Sequence, residues 1–259
     1  MADQQQTESV ISVHHWSDTL FSFSTTRDPG FRFRSGQFTM VGLETEEGTR
    51  ISRAYSVASA HYDDRLEFFS IKVPNGPLTS RLAEIKPGDR LLIGRKPTGT
   101  LVLDGLTPGR RLFLLGTGTG LAPFLSIIRD PETYDRFETV ILMHGVRHIG
   151  DLAYRDFIAE DLPRHELLGE MITSQLVYIP TVTREAYATN GRITSLLESG
   201  VALTDRGHVP LTPEQDRVML CGSPAFLADM TGLLERLGFI EGSIARPGQY
   251  VIEKAFVEK

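Results

Sequence analysis

The chain has 259 residues, 41% of them hydrophobic and 23% charged, which suits one large domain or, more naturally, two ordinary ones with sizeable cores. A formal net charge of −6 gives no basic excess for nucleic acid or an anionic membrane surface, and no run of about 18 apolar residues offers a membrane span. The single cysteine, Cys221, excludes an intramolecular disulfide and a self-held iron–sulfur cluster, which takes about four thiolates; any redox cofactor is therefore organic, and no metal site is expected.

In chain order, the first ten residues are polar and lack the apolar segment of a secretory signal, so the expected compartment is the cytoplasm. Up to about Gly105 the apolar residues recur with a period near two. Leu20–Ser24, Gln37–Val41 and Leu66–Val73 read as short strands, and Arg53-Ala54-Tyr55-Ser56 lies in another. Turns punctuate them at Asp28-Pro29-Gly30, Glu47-Gly48, Asp63-Asp64, Pro74-Asn75-Gly76-Pro77 and Lys86-Pro87-Gly88-Asp89, and one short helix is expected over Leu78–Ile85. Many short strands so punctuated predict an antiparallel barrel.

After Leu106-Thr107-Pro108-Gly109 the pattern changes, which puts the domain boundary between residues 106 and 107. Strand-like runs at Arg111–Gly116, Thr139–His144, Gln175–Val182 and Arg217–Cys221 are each followed by a helical stretch: Leu121–Arg129, Leu152–Glu160, Ile193–Glu198 and Ala225–Leu237. A last strand is expected over Gln249–Ala255. Strands apolar on both faces and alternating with helices predict a parallel sheet covered on both sides. The expected fold is thus β + α/β: an antiparallel barrel over 1–106, then a parallel-sheet α/β domain over 107–259.

Two glycine-bearing segments could hold phosphates, and a third borders a ligand crevice. Gly116-Thr117-Gly118-Thr119-Gly120-Leu121-Ala122-Pro123 follows a strand and opens a helix; it reads as a pyrophosphate loop or as a tight strand–helix turn. Gly76-Pro77-Leu78-Thr79-Ser80 offers a glycine turn with hydroxyls at a helix start, and reads equally as a capped helix. Cys221-Gly222-Ser223-Pro224 ends another strand, where it would face Gly116 across one crevice; a buried cysteine is more often a small core residue than a nucleophile. In Arg53-Ala54-Tyr55-Ser56 the guanidinium suits a diphosphate, the phenol ring an aromatic face and the hydroxyl a ring nitrogen, although a plain half-buried strand has the same letters.

These motifs, together with Phe69-Ser70-Ile71-Lys72-Val73, fall in one order along the expected elements. In that ordered set the chain resembles the ferredoxin–NADP+ reductase family of bacterial type, from about Val10 to Lys259. The resemblance implies a barrel that binds non-covalent FAD. Arg53 would meet its phosphates with Ala54 beside it, Tyr55 would lie against the isoalloxazine, and Ser56 would bond the N5 edge. Ile71, Lys72 and Val73 would border the flavin and adenine, Gly76, Leu78 and Thr79 would hold the diphosphate, and Thr119 would sit where the domains meet. For NADP(H) it implies Gly116, Thr117, Gly118, Thr119 and Gly120, then Val146 and Arg147, Thr183 and Arg184, Arg192, and Cys221, Gly222 and Ser223. A 2′-phosphate carries about two negative charges and suits guanidinium forks, whereas an NAD site places a carboxylate on the ribose.

Ser56, Cys221 and Glu253 are the residues implied to shape the reacting centre. At the carboxyl end, Ala255 takes the place of a flavin-covering tyrosine, and Phe256, Val257, Glu258 and Lys259 would return to the FAD adenine. The implied activity is hydride exchange with NADP(H) and single-electron exchange with ferredoxin or flavodoxin by a monomer, running from NADPH to the carrier. A flavin reductase or the reductase component of an oxygenase shares this architecture. A flavin-binding electron-transfer module without turnover is the reading from another class. No nucleic-acid or membrane partner is expected.

Overall fold

The period-two residues of the first half pair into one antiparallel sheet. In the computed structural model, which describes residues 5–45, 47–73 and 75–253, its strands are β1 (Gln5–His15), β2 (Leu20–Thr26), β3 (Phe38–Glu44), β4 (Arg50–Ser56), β5 (Arg65–Ile71) and β6 (Arg90–Gly94). Their order is β4-β3-β6-β1-β2-β5. The chain beyond β4 then reaches β5: Val57 bridges Phe68, and the Ala58 amide donates to the Glu67 carbonyl at 2.8 Å. That closes the sheet into a barrel and removes its open edges. Phe21, Phe23, Leu66, Phe68, Leu91 and Ile93 fill the inside.

β1 is the barrel strand that the residue pattern conceals. Its buried positions are Val10 and a carboxylate, Glu8, which accepts hydrogen bonds from the Asp28 amide at 2.9 Å and the Gln6 amide nitrogen at 3.0 Å. A satisfied buried acid breaks the apolar alternation without breaking the strand. The helix expected over Leu78–Ile85 is a single turn, α1 (Thr79–Leu82), because the turn at Lys86–Asp89 redirects the chain into β6.

The second half forms β7 (Arg111–Thr117), β8 (Thr139–Val146), β9 (Leu176–Val182), β10 (Asp216–Cys221) and β11 (Tyr250–Ile252), all parallel in the order β11-β10-β7-β8-β9. Successive residues of β7 feed opposite faces. Leu112 and Leu114 pack with α2 (Ala122–Ile127), α3 (Pro131–Arg136) and α4 (Gly169–Gln175); Phe113 and Leu115 pack with α5 (Ile193–Ser199), α6 (Val201–Thr204) and α7 (Pro224–Arg236). Ser223 caps α7 by accepting from the Phe226 amide at 3.3 Å, with Pro224 in the first turn. The chain reverses its winding between β7 and β10, and such a switch point opens a ligand crevice at the carboxyl ends of the two strands. At the opposite end of those strands, Arg111 and Asp216 pair in register and form a buried bidentate ion pair with both N–O distances at 2.6 Å.

Leu152–Glu160 differs most from the expected helix. A 3-10 turn at Ile149–Asp151 precedes it, and a π-helical turn at Phe157–Asp161 takes up its second half. Between them Tyr154 takes φ +60°, a left-handed conformation costly for a bulky residue. The gain is a bridge to the barrel. The Tyr154 ring meets Trp16 at 4.4 Å and Phe69 at 5.3 Å, and its hydroxyl donates to Glu67 at 2.9 Å. Leu20, Ala58 and Phe69 of the barrel join Leu121, Phe124 and Ala153 in one apolar core, so the two sheets share their packing.

Candidate active site at the junction of barrel and parallel sheet

One row of residues crosses the junction. Ser56, the last residue of β4, pairs with Phe38, which bridges Thr98; next to it, a Cβ on Gly99 would stand 3.2 Å from the Glu253 carboxylate. Glu253 in turn donates its amide to the Leu220 carbonyl at 3.0 Å, which sets it beside Cys221 at the end of β10. The structure therefore brings Ser56, Glu253 and Cys221 to one seam, although nearly two hundred positions separate the first and last in the sequence. All three are buried. Burial, and then the Glu253 charge, push the Cys221 thiol up, so it stays protonated and acts as a small packing group rather than a thiolate.

The barrel side fits a flavin nucleotide. The Ser56 hydroxyl is buried and has no hydrogen-bond partner among the described residues, a state that an added polar ring atom would relieve. Arg53 is exposed on the same strand, with Ala54 half-buried next to it. Tyr55 is 8% exposed: its ring packs edge-on to Phe68, its hydroxyl lies 3.1 Å from the Ser70 hydroxyl, and burial raises it above the usual phenol range. Ile71 and Val73 leave 45% and 46% of their surface exposed on either side of Lys72, apolar area that a bound aromatic group would cover. Thr79 accepts from the Val73 amide at 3.3 Å and thereby folds the Gly76 turn, while Leu78 anchors it in the barrel core. Because α1 is one turn long, phosphate donors there come from the turn and its hydroxyls rather than from a helix dipole. Ala255, Phe256, Val257, Glu258 and Lys259 lie outside the described residues.

On the parallel-sheet side, Gly116 and Cys221 are register partners, so the glycine loop and the Cys221-Gly222-Ser223 turn flank the switch-point crevice as expected. Gly120 packs directly on the second turn, where a Cβ would come within 2.3 Å of the Cys221 carbonyl oxygen. The Ser223 amide donates to the Thr117 hydroxyl at 3.2 Å, tying loop to turn, and Thr119 sits in the 3-10 turn Gly118–Leu121 that leads into α2. Val146 ends β8 in a small apolar cluster with Val182 and Leu152, and Arg147 follows it on the surface. Beyond β9, Thr183 and Arg184 line an open hollow of about 490 Å³ with Tyr187 and Asn190. Arg192 precedes α5.

His144 escaped the reading by motif. It sits fully buried in β8, and its Nε2 donates to the Gly118 carbonyl at 3.1 Å, which holds that glycine at φ +54°. A histidine inside an apolar strand run was the available signal. Burial pushes the imidazole down from 6.5 to about 4, against the opposing pull of the Gly118 carbonyl. The unfolded chain thus takes up a proton at its ordinary value while the folded chain resists it. The His144 contribution to stability should shrink by about 1 kcal/mol per pH unit as pH drops from 6.5 towards 4, and be constant above 6.5. Urea titrations at stepped pH should show stability falling over that window, and His144→Phe should lessen the slope.

Comparison with known proteins agrees with this geometry. Residues 8–102 match the family model for the oxidoreductase FAD-binding domain, and residues 114–231 match that for the oxidoreductase NAD-binding domain. The ferredoxin–NADP reductase of Pseudomonas aeruginosa is 57% identical over 254 residues, 98% of each chain. The flavodoxin/ferredoxin–NADP reductase of Rhodobacter capsulatus is 51% identical over 250 residues, 96% of this chain and 93% of that one. A crystal structure of a ferredoxin NADP+ reductase from Neisseria gonorrhoeae with bound FAD and NADP superposes with a TM-score of 0.88 at 34% identity, covering 98% of this chain and 99% of that one. With both domains matched in order and nearly its whole length aligned, this chain belongs to the ferredoxin–NADP reductase family.

Proposed function

We propose that the chain is a ferredoxin/flavodoxin–NADP reductase that works mainly from NADPH towards the carrier protein. The observation that carries this reading is the single seam uniting Ser56, Glu253 and Cys221, with the barrel on one side and the switch-point crevice on the other. Bound FAD would supply hydride exchange with the nicotinamide and one-electron exchange with the carrier. The chain's own part is to bind, align and shield. Arg53, Ala54, Tyr55, Ile71, Lys72, Val73, Gly76, Leu78, Thr79 and Thr119 are assigned to FAD, together with residues 255–259. Gly116 to Gly120, Val146, Arg147, Thr183, Arg184, Arg192 and Cys221 to Ser223 are assigned to NADP(H). Ser56 offers its hydroxyl at the reacting edge, Glu253 supplies a buried carboxylate across the seam, and Cys221 keeps the nicotinamide side narrow and dry.

The domain division assigned is 1–106 for FAD and 107–259 for NADP(H). Exposed Arg50, Arg53, Arg81, Arg95 and Lys96, with half-buried Lys72, are the cations available to an acidic carrier. Among the described residues no helix is long and apolar enough to cross a membrane. A cytoplasmic monomer is the form we assign. Anaerobic mixing with NADPH and with NADH, followed by ferredoxin or flavodoxin, tests the whole reading. Flavin bleaching by NADPH at least about tenfold faster than by NADH, then onward transfer to the carrier, is expected. Bleaching without transfer to either carrier would favour a flavin reductase, and no bleaching a binding module.

A further inference from the structure

The three candidate phosphate-binding arginines stand on two connections: Arg147 after β8, and Arg184 and Arg192 at the two ends of the segment between β9 and α5. All are exposed, so packing does not hold them together. The backbones of the two connections are joined by the Arg184 amide, which donates to the Arg147 carbonyl at 3.0 Å, and by the Thr183 amide, which donates to the Val146 carbonyl at 3.1 Å. The far end of the second connection returns to β9 through the Gly191 amide, which donates to the Val182 carbonyl at 3.0 Å. One residue touches both the first connection and the far end of its own. Glu185 accepts from the Ile149 amide at 2.7 Å and pairs with His148 Nδ1 at 2.8 Å, while its own carbonyl accepts from the Asn190 side-chain amide at 2.6 Å.

We propose that Glu185 is a positioning residue, whose carboxylate ties the Arg147 connection to its own and whose carbonyl braces the far end of its own connection, so that the three arginines form one preformed fork and set the preference for NADPH over NADH. The proposal rests on reading those arginines as the 2′-phosphate site. It inverts the usual expectation for this charge. A carboxylate bordering a phosphate hollow ordinarily repels the phosphate, and its removal ordinarily tightens binding. Here both oxygens are committed: the Ile149 amide, and then His148, hold the carboxyl below the usual carboxylate range, so it remains an ionised tie. With Glu185 truncated, the connection bearing Arg147 loses its side-chain tie to the one bearing Arg184 and Arg192, while the Asn190 bond to the main-chain carbonyl remains, and the ordering cost falls on phosphate binding.

The test uses the FAD-loaded full chain carrying Glu185→Gln, Glu185→Ala or Asn190→Ala. Binding of 2′,5′-ADP is measured by calorimetry, beside steady-state NADPH and NADH kinetics. For Glu185→Ala, the Kd of 2′,5′-ADP and the KM for NADPH should each rise about tenfold while kcat at saturating NADPH holds within about twofold; the NADPH-to-NADH ratio of kcat/KM should fall about tenfold. Glu185→Gln and Asn190→Ala should move the same quantities in the same direction by less. An unchanged or lowered Kd in both Glu185 variants overturns the proposal, because that is how a merely repulsive or solvated carboxylate behaves. Arg184→Ala separates the two levels: an unchanged 2′,5′-ADP Kd there would remove the phosphate-site reading itself.

Discussion

Replacing Ser56 with alanine should slow single-turnover reduction of the bound flavin by NADPH about 10- to 100-fold while leaving FAD retention nearly unchanged. The hydroxyl is small, buried and without a partner among the described residues, so the protein loses no internal hydrogen bond when it goes. Removing an unsatisfied buried hydroxyl is close to neutral for folding, and the melting temperature of the apoprotein should hold or rise slightly. The opposite signs make the test sharp. Ser56 is held by its pairing with Phe38, immediately before the Val57 bridge that closes the barrel, so its Oγ is preorganised and not free to search for a partner. Stopped-flow rates paired with thermal melts measure both quantities. A rate unchanged by the substitution would remove Ser56 from the reacting edge.

Asp216→Ala should act in the reverse manner, with a loss of about 3–5 kcal/mol of stability and little change in turnover by the fraction that stays folded. Its carboxylate is fully buried, binds Arg111 through both oxygens and also accepts from the Thr212 amide at 2.7 Å. Arg111 further donates to the Val209 and Pro210 carbonyls at 2.8 and 3.0 Å. Truncating the aspartate strands a largely buried guanidinium. The pair lies at the amino ends of β7 and β10, the full length of the strands from Gly116 and Cys221, so the crevice geometry is untouched. A drop in melting temperature of about 10 °C is expected, with KM for NADPH and kcat at 15 °C close to the parent values. A large kcat loss in protein shown to be folded would count against this division of the sheet into a structural and a chemical end.

Most of the fold was legible because apolar period and turn chemistry agree along the chain. The two-period strands, the change after Pro108-Gly109 and the doubly apolar strands each have one cheap structural solution. Two places resisted. β1 hides because one of its inward positions is Glu8, whose partners Thr26 and Asp28 lie about twenty residues away. The stretch around Tyr154 reads as a helix because nothing local announces φ +60°; the strain is offset by contacts with Trp16, Phe69 and Glu67 on the other domain. The site divides the same way. Motifs pointed to the glycine loop, the Arg53–Ser56 strand and the arginines, since glycine and arginine carry their reasons locally. His144 showed only as a histidine in an apolar run and Glu185 not at all, because what they do depends on a Gly118 carbonyl and an Ile149 amide brought to them by the fold.

The Tyr154 bridge and the core it caps have a mechanical consequence. Many two-domain enzymes set their reacting distance by swinging shut on the substrate. Here the barrel and the parallel sheet are joined by a shared core beside their own interiors, since Leu20, Ala58 and Phe69 are packed with Leu121 and Phe124. Opening the two halves would expose that shared apolar surface, so the packing itself resists a change in their spacing.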